Sequence, residues 1–214
     1  MNTEKLKIAE QKFLQAYPQG FADPVMAAMA KKHKVDKMHK FALDSFAASQ
    51  FKDSGSINTA ITKMISQSSL VSVFEKARFR DVIKSVPDHE REMLAAGLGQ
   101  FLHGDQEIGF QVMADLLGAY KMAKWPLLTA IPYYYRPEFE VFMKPTTVKG
   151  VIEFFELKGL KYSPKPTYPF YRDYRQQILE MKRTVSIKLG FNDNAAFCGF
   201  LMMSLENPPV KLPK

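Results

Sequence analysis

The chain has a single cysteine, Cys198, among 214 residues, so no internal disulfide is available, and no Cys/His cluster has the spacing of a zinc knuckle. Histidine is scarce as well: His33, His39, His89 and His103 never pair at helical spacing, and His33 and His39 sit among lysines that would repel a cation. No H-E-x-x-H, G-x-S-x-G, Walker A or G-x-G-x-x-G pattern occurs, which leaves no catalytic residue, metal ligand or cofactor to assign. Long apolar runs are missing too. The richest stretch, Ala195 to Leu205, holds nine apolar residues in eleven, short of the ~18 that span a bilayer. At the N-terminus Glu4, Lys5, Lys7 and Glu10 stand where a secretory signal needs an apolar run. The expectation is a soluble, cytoplasmic protein without membrane contact.

What the chain does have is apolar bulk and positive charge. Apolar residues make up 46%, ample for a buried core, and 30 Lys+Arg against 22 Asp+Glu give a formal charge of +8. Residues 1–107 carry a net charge of +2 and residues 108–214 carry +6, and Lys144–Lys188 alone holds ten basic and four acidic residues. A smaller block, Lys31–Lys40, has five lysines and one acid. Clustered positive charge attracts phosphates or acidic surfaces.

Helical periodicity dominates, and the spacing predicts a mostly α protein of about eight or nine helices. Leu6, Ala9 and Phe13 share one face; Asp23-Pro24 caps a helix that would bury Val25, Met26 and Met29. Met38, Phe41, Leu43 and Phe46 form the next stripe, followed by Ile57, Ile61, Met64 and Ile65. Val73, Phe74, Ala77 and Val82 or Ile83 are the expected buried face of the stretch from Val71 to Val86. Ser85 is the expected cap of a helix running to His103-Gly104, in which Gly97 and Gly99 allow close packing. Asp105 opens another, with Ile108, Val112, Leu116 and Tyr120 on one side.

Between Trp125 and Pro137 lie three prolines in thirteen residues, a density that predicts an irregular aromatic connector between an N-terminal lobe (1–124) and a smaller C-terminal lobe (138–214), unless the two are continuous. Beyond it, Val148, Val151, Ile152 and Phe155 define a helix that Gly159 should stop, and residues 160–169 form a proline-punctuated link. Tyr171, Tyr174, Ile178, Met181 and Val185 then define a helical stripe flanked by Arg172, Arg175 and Lys182. The last apolar helix, capped by Asp193 or Asn194, should be the buried centre of this lobe, with Cys198 as a small buried hydrophobe. Glu138, Glu140, Glu153 and Glu156 could form an acid/base pair, but no spacing places two of them together.

Two constellations carry functional expectations. Lys144-Pro145-Thr146-Thr147-Val148-Lys149 joins a helix start, two hydroxyls and two lysines, an arrangement that suits simple capping by a threonine or else an anion, as in an enzyme or small-anion binder. Twelve aromatic residues between Tyr133 and Tyr174 are interleaved with Lys144, Lys149, Lys158, Lys161, Lys165, Arg172 and Arg175. Cations that track phosphates beside rings that stack on bases are the grip of single-stranded nucleic acid, so these residues, with Tyr162, Tyr168 and Lys182, are the expected contact surface for DNA or RNA. The same surface would serve an adaptor with an acidic protein partner.

The runs Lys124-Trp125-Pro126-Leu127, Phe142-Met143-Lys144-Pro145-Thr146-Thr147-Val148 and Leu160-Lys161-Tyr162, followed by Tyr171 and Ala196-Phe197-Cys198-Gly199-Phe200, resemble a C-terminal segment of bacterial proteins with no assigned activity. That resemblance covers about residues 124–205 and implies a bacterial cytoplasmic origin and a second lobe that is a unit in itself.

Overall fold

A computed structural model describes residues 1–189 and 194–206. Those residues form eleven α-helices, two 3-10 turns and no strand. The helices are α1 (Thr3–Ala16), α2 (Pro24–Lys32), α3 (Val35–Ser45), α4 (Ser54–Gln67), α5 (Val73–Ser85), α6 (Asp88–His103), α7 (Gln106–Ala119), α8 (Trp125–Tyr135), α9 (Pro145–Phe154), α10 (Tyr168–Thr184) and α11 (Asn194–Glu206). The count exceeds eight or nine, and one of the added helices occupies the expected connector.

That helix, α8, is the main correction. Proline breaks a helix by withholding an N–H, and a first-turn residue has no intrahelical acceptor to lose. Pro126 sits in the first turn, so only Pro132 leaves a carbonyl, that of Leu128, without its usual donor. Bonding resumes at once, with the Arg136 amide donating to the Pro132 carbonyl at 2.9 Å. Every residue from Trp125 to Tyr134 is buried, because α8 packs against α3, α4, α6 and α7. Apolar character all round, which reads as a sticky connector in one dimension, belongs here to a central helix.

The α4 stripe and the α10 stripe from Tyr171 to Met181 are buried as expected. On α2 only Met26 is buried, while Val25 and Met29 face solvent, as does Leu43 on α3. The buried face of α5 is Phe79 and Ile83; Val73, Phe74 and Ala77 belong to its outer side. Ile108 likewise faces out from α7. Ser85 closes α5 by donating to the Val82 carbonyl instead of capping α6, whose first turn is steadied by the Asp88–Arg91 ion pair.

Helices α6 and α7 approach most closely at two glycines: a Cβ on Gly109 would overlap the Phe101 backbone, and one on Gly97 would press on Val112 and Met113. At the other end of the molecule α9 stops earlier than Gly159, at Phe154, and Glu156 takes the left-handed turn position with φ of 54°. Three contacts with the N-terminus hold it there. The Asn2 amide donates to the Phe155 carbonyl at 2.7 Å, and the Asn2 and Lys5 side chains reach the Glu156 carboxylate. Those bonds, Lys5 first, hold the Glu156 carboxyl below its usual pKa.

One cluster of buried apolar side chains runs from Leu6 to Leu201 and includes residues on both sides of 125–137. Phe197, Phe200 and Leu201 place α11 in it, against α1 and α9, whereas Cys198 is half-buried. Asp193, one expected cap of α11, lies outside the described residues. No described helix is long and apolar enough to cross a membrane.

Candidate functional site

Two groups of charged residues emerge near the C-terminal helices, one on the surface and one inside. The surface group is assembled by α8. Its first residue, Trp125, donates from Nε1 to the Ser163 carbonyl at 2.8 Å, tying the turn Lys121–Lys124 to the extended link 160–167. Tyr162 of that link lies under Lys149 of α9, whose Nζ is 4.9 Å from the ring centroid. Lys121, Lys124, Lys149, Lys161 and Lys165 are all exposed, and none forms an ion pair among the described residues. Burial raises the Tyr162 phenol above its ordinary pKa. No sequence pattern marks Lys121 as a contact residue, and Lys124 stands out only as the first residue of the run Lys124-Trp125-Pro126-Leu127.

The remaining sequence-predicted residues divide between surface and interior. Lys144 is exposed at the start of α9, where neither Thr146 nor Thr147 makes a capping bond. Lys158 is exposed, and its carbonyl accepts from Gln177 Nε2 at 2.9 Å. Arg172 is exposed and paired with Asp173 at 2.9 Å, which raises its pKa. Lys182 donates to Asn194 Oδ1 at 2.9 Å. Tyr168 and Arg175 are buried, so these two cannot present a ring or a charge to a ligand on the surface. Of the twelve rings from Tyr133 to Tyr174, only Phe139 is exposed, at 42%.

Arg175 belongs to the interior group, centred on Glu140, which is completely buried. The Glu140 carboxylate accepts from Arg175 at 2.6 Å, Arg136 at 2.6 Å, Tyr171 Oη at 2.7 Å and Gln106 Nε2 at 2.8 Å. Gln106 in turn accepts from Tyr168 Oη and from Arg175. The Glu140 backbone carbonyl accepts from Asn194 Nδ2 at 3.0 Å, and the Phe139 ring lies 4.1 Å from the Arg175 guanidinium carbon. Burial, then the Glu140 charge, pushes the Tyr171 phenol well above its ordinary pKa. Burial works against the charged form of Arg175, but the Glu140 and Tyr171 interactions outweigh it and raise its pKa. With both carboxylate oxygens engaged, the group acts as a joint that fastens α7, α8, α10 and α11 together.

Sequence reasoning named Glu140 only among four scattered carboxylates and passed over Gln106 and Arg136. A lone acid inside Phe139-Glu140-Val141-Phe142-Met143 was the signal, because a buried carboxylate demands cationic partners. Among the described residues no group of three or more His, Cys, Asp or Glu could hold a metal ion. His103, read as a helix-end residue, bonds through Nε2 to the Phe46 carbonyl at 2.8 Å. The chain matches no protein family, no curated protein and no solved structure.

Proposed function

We propose that this is a binding protein for polyanions, DNA or RNA foremost, that grips phosphates through Lys121, Lys124, Lys149, Lys161 and Lys165, with Lys144 and Lys158 at the margin. The supporting observation is the set of five exposed lysines, without an ion pair among the described residues, on segments that the Trp125–Ser163 bond and the Lys149–Tyr162 contact tie together. With Tyr168 and most other rings interior, base stacking drops out of the reading and phosphate contact remains. The resemblance of residues 124–205 to a bacterial segment supports a bacterial, cytoplasmic setting.

Fluorescence anisotropy with single-stranded and duplex oligonucleotides tests this across roughly 50–200 mM salt. Five phosphate contacts predict a log–log salt slope of about −4.5 on duplex and about −3.5 on single strands. Lys149→Glu, Lys161→Glu and Lys165→Glu together should abolish binding without changing the melting midpoint. Binding indifferent to these exposed residues overturns the proposal. An acidic protein partner is the second reading, favoured because only Phe139 of the twelve rings from Tyr133 to Tyr174 is exposed; polyglutamate that displaces oligonucleotide at equal charge would support it. The start of α9, with Lys144, Thr146, Thr147 and Lys149, could serve a small anion only if inorganic phosphate alone raises the melting midpoint.

A further inference from the structure

A different set of lysines lies at the opposite end of the sequence, beside apolar side chains that the fold leaves uncovered. Helix α2 buries only Met26; its outer face carries Val25 and Met29, four residues apart, with Lys32 three residues further on. Lys31, Lys34 and Lys37 continue the positive charge around the corner into α3, and none of these four lysines forms an ion pair among the described residues. His33 at that corner is bonded through Nδ1 to Ser69 Oγ at 3.0 Å, which holds the corner against the segment leading into α5. That segment ends in Val73 and Phe74, 76% and 88% exposed in the first turn of α5.

The exposure of Phe74 is not a frayed end. Ser72 caps α5 by accepting from the Glu75 amide at 3.2 Å, and the Glu75 carboxylate returns to the Ser72 amide at 3.3 Å. A capping box fixes the first turn, so both apolar side chains are held outward on an ordered helix. Apolar side chains on a fixed scaffold, joined through the His33–Ser69 bond to a lysine-rich corner in which Asp36 is the one acid, mark a binding surface.

We propose that this face docks on an anionic lipid surface, with Val73 and Phe74 entering the interface while Lys31, Lys32, Lys34 and Lys37 meet the headgroups. The shape decides the occupant. An amphipathic peptide needs a groove to lie in, whereas these side chains project outward, a form that a soft bilayer interface accommodates. Nucleic acid could stack a base on the phenyl ring, but it offers no apolar layer that takes up the branched aliphatic chain of Val73 beside it. The positive charge complements anionic headgroups, each lysine near such a surface adding to the attraction. The proposal is independent of the oligonucleotide reading, which uses other lysines.

The test is co-sedimentation of the full chain with phosphatidylcholine vesicles, with and without ~30% phosphatidylserine. Binding is expected to be about tenfold stronger with phosphatidylserine, to fall about tenfold in the double variant Val73→Ser/Phe74→Ser, and to fall to the neutral-vesicle level in Lys31→Glu/Lys32→Glu/Lys34→Glu. A Phe74→Trp variant gives an independent readout: its added indole emission should shift to the blue on anionic vesicles, above the constant background of Trp125. Equal sedimentation with both vesicle types, phosphatidylserine binding that ignores Val73 and Phe74, or an unshifted emission from the Phe74→Trp variant overturns the proposal. Loss of binding only when Lys149, Lys161 and Lys165 are reversed would also overturn it.

Discussion

Residues 125–137 and 160–167 are both punctuated by proline and carry tyrosine and basic residues, yet the first holds the buried helix α8 and the second is an extended surface link. Spacing separates them. Pro126 and Pro132 stand six apart, one in a first turn and one alone in the interior, and of the residues between them only Thr129 is polar, its hydroxyl donating to the Trp125 carbonyl. Pro164 and Pro166 stand two apart, so each biases its predecessor to extended geometry before a turn can close, and Lys161 and Lys165 leave little to bury. Composition alone treats the two as alike. Position of each proline relative to the hydrogen-bond ladder tells them apart.

The contrast is broken most severely at Trp125, which fills the core and anchors the link through Ser163. Trp125→Ala should lose about 3–5 kcal/mol in urea denaturation, from cavity formation. It should also weaken oligonucleotide binding, whereas Trp125→Phe should retain most stability and lose about 1 kcal/mol with the hydrogen bond. Glu140→Ala strips the shared carboxylate from Arg136 and Arg175, just beyond the end of α8. Leaving such charge without its partner costs about 3–5 kcal/mol, and the fall should appear in the same denaturation series.

A pH series sharpens the picture of the packing that surrounds α8. The Tyr171 and Tyr174 phenols are raised well above 10.0, in both cases chiefly by burial. A raised folded-state pKa means that the folded chain keeps protons the unfolded chain has released. Their contribution is therefore complete below the unfolded value near 10 and is lost as pH climbs above it. Unfolding free energy should decline with pH in that alkaline range, and Tyr174→Phe should flatten the decline.

Smaller effects separate the two proline sets directly. Pro132→Ala restores a donor to the Leu128 carbonyl, and an interior helical proline costs about 3 kcal/mol relative to alanine. Losing two buried methylenes costs about 1.6 kcal/mol, so a net gain of about 1 kcal/mol is expected in chemical denaturation. Pro164→Ala, in the exposed link, should instead destabilise by about 0.5 kcal/mol, through greater freedom of the unfolded chain. Two prolines, one substitution and opposite signs make the comparison measurable.

Much of the helical order was legible because apolar spacing at Leu6, Ala9 and Phe13, or at Ile57, Ile61, Met64 and Ile65, leaves one face to bury. Helix α8 was not legible, since proline density argues against helix unless the ladder position of each proline is counted. The burial of Val73 and Phe74 was misjudged because periodicity identifies a face but not how far neighbouring helices extend to cover it. Arg175 was placed beside the α10 stripe although it stands four residues after Tyr171, hence on the stripe itself. A charged residue on an apolar stripe calls for a partner, and only the folded chain reveals that Glu140, 35 residues earlier, supplies it.

The backbone approach of α6 and α7 at Gly97 and Gly109 also bears on the order in which the chain assembles. The two helices are joined through Gly104 and Asp105 alone, with Asp105 accepting from the Glu107 and Ile108 amides. Closing so short a loop sacrifices little entropy, and two side-chain-free positions let the helices meet without repacking. This hairpin can therefore nucleate from local sequence, before residues far apart along the chain find one another. Helix α8, by contrast, takes its contacts from α3, α4, α6 and α7, so its burial depends on segments distant in sequence.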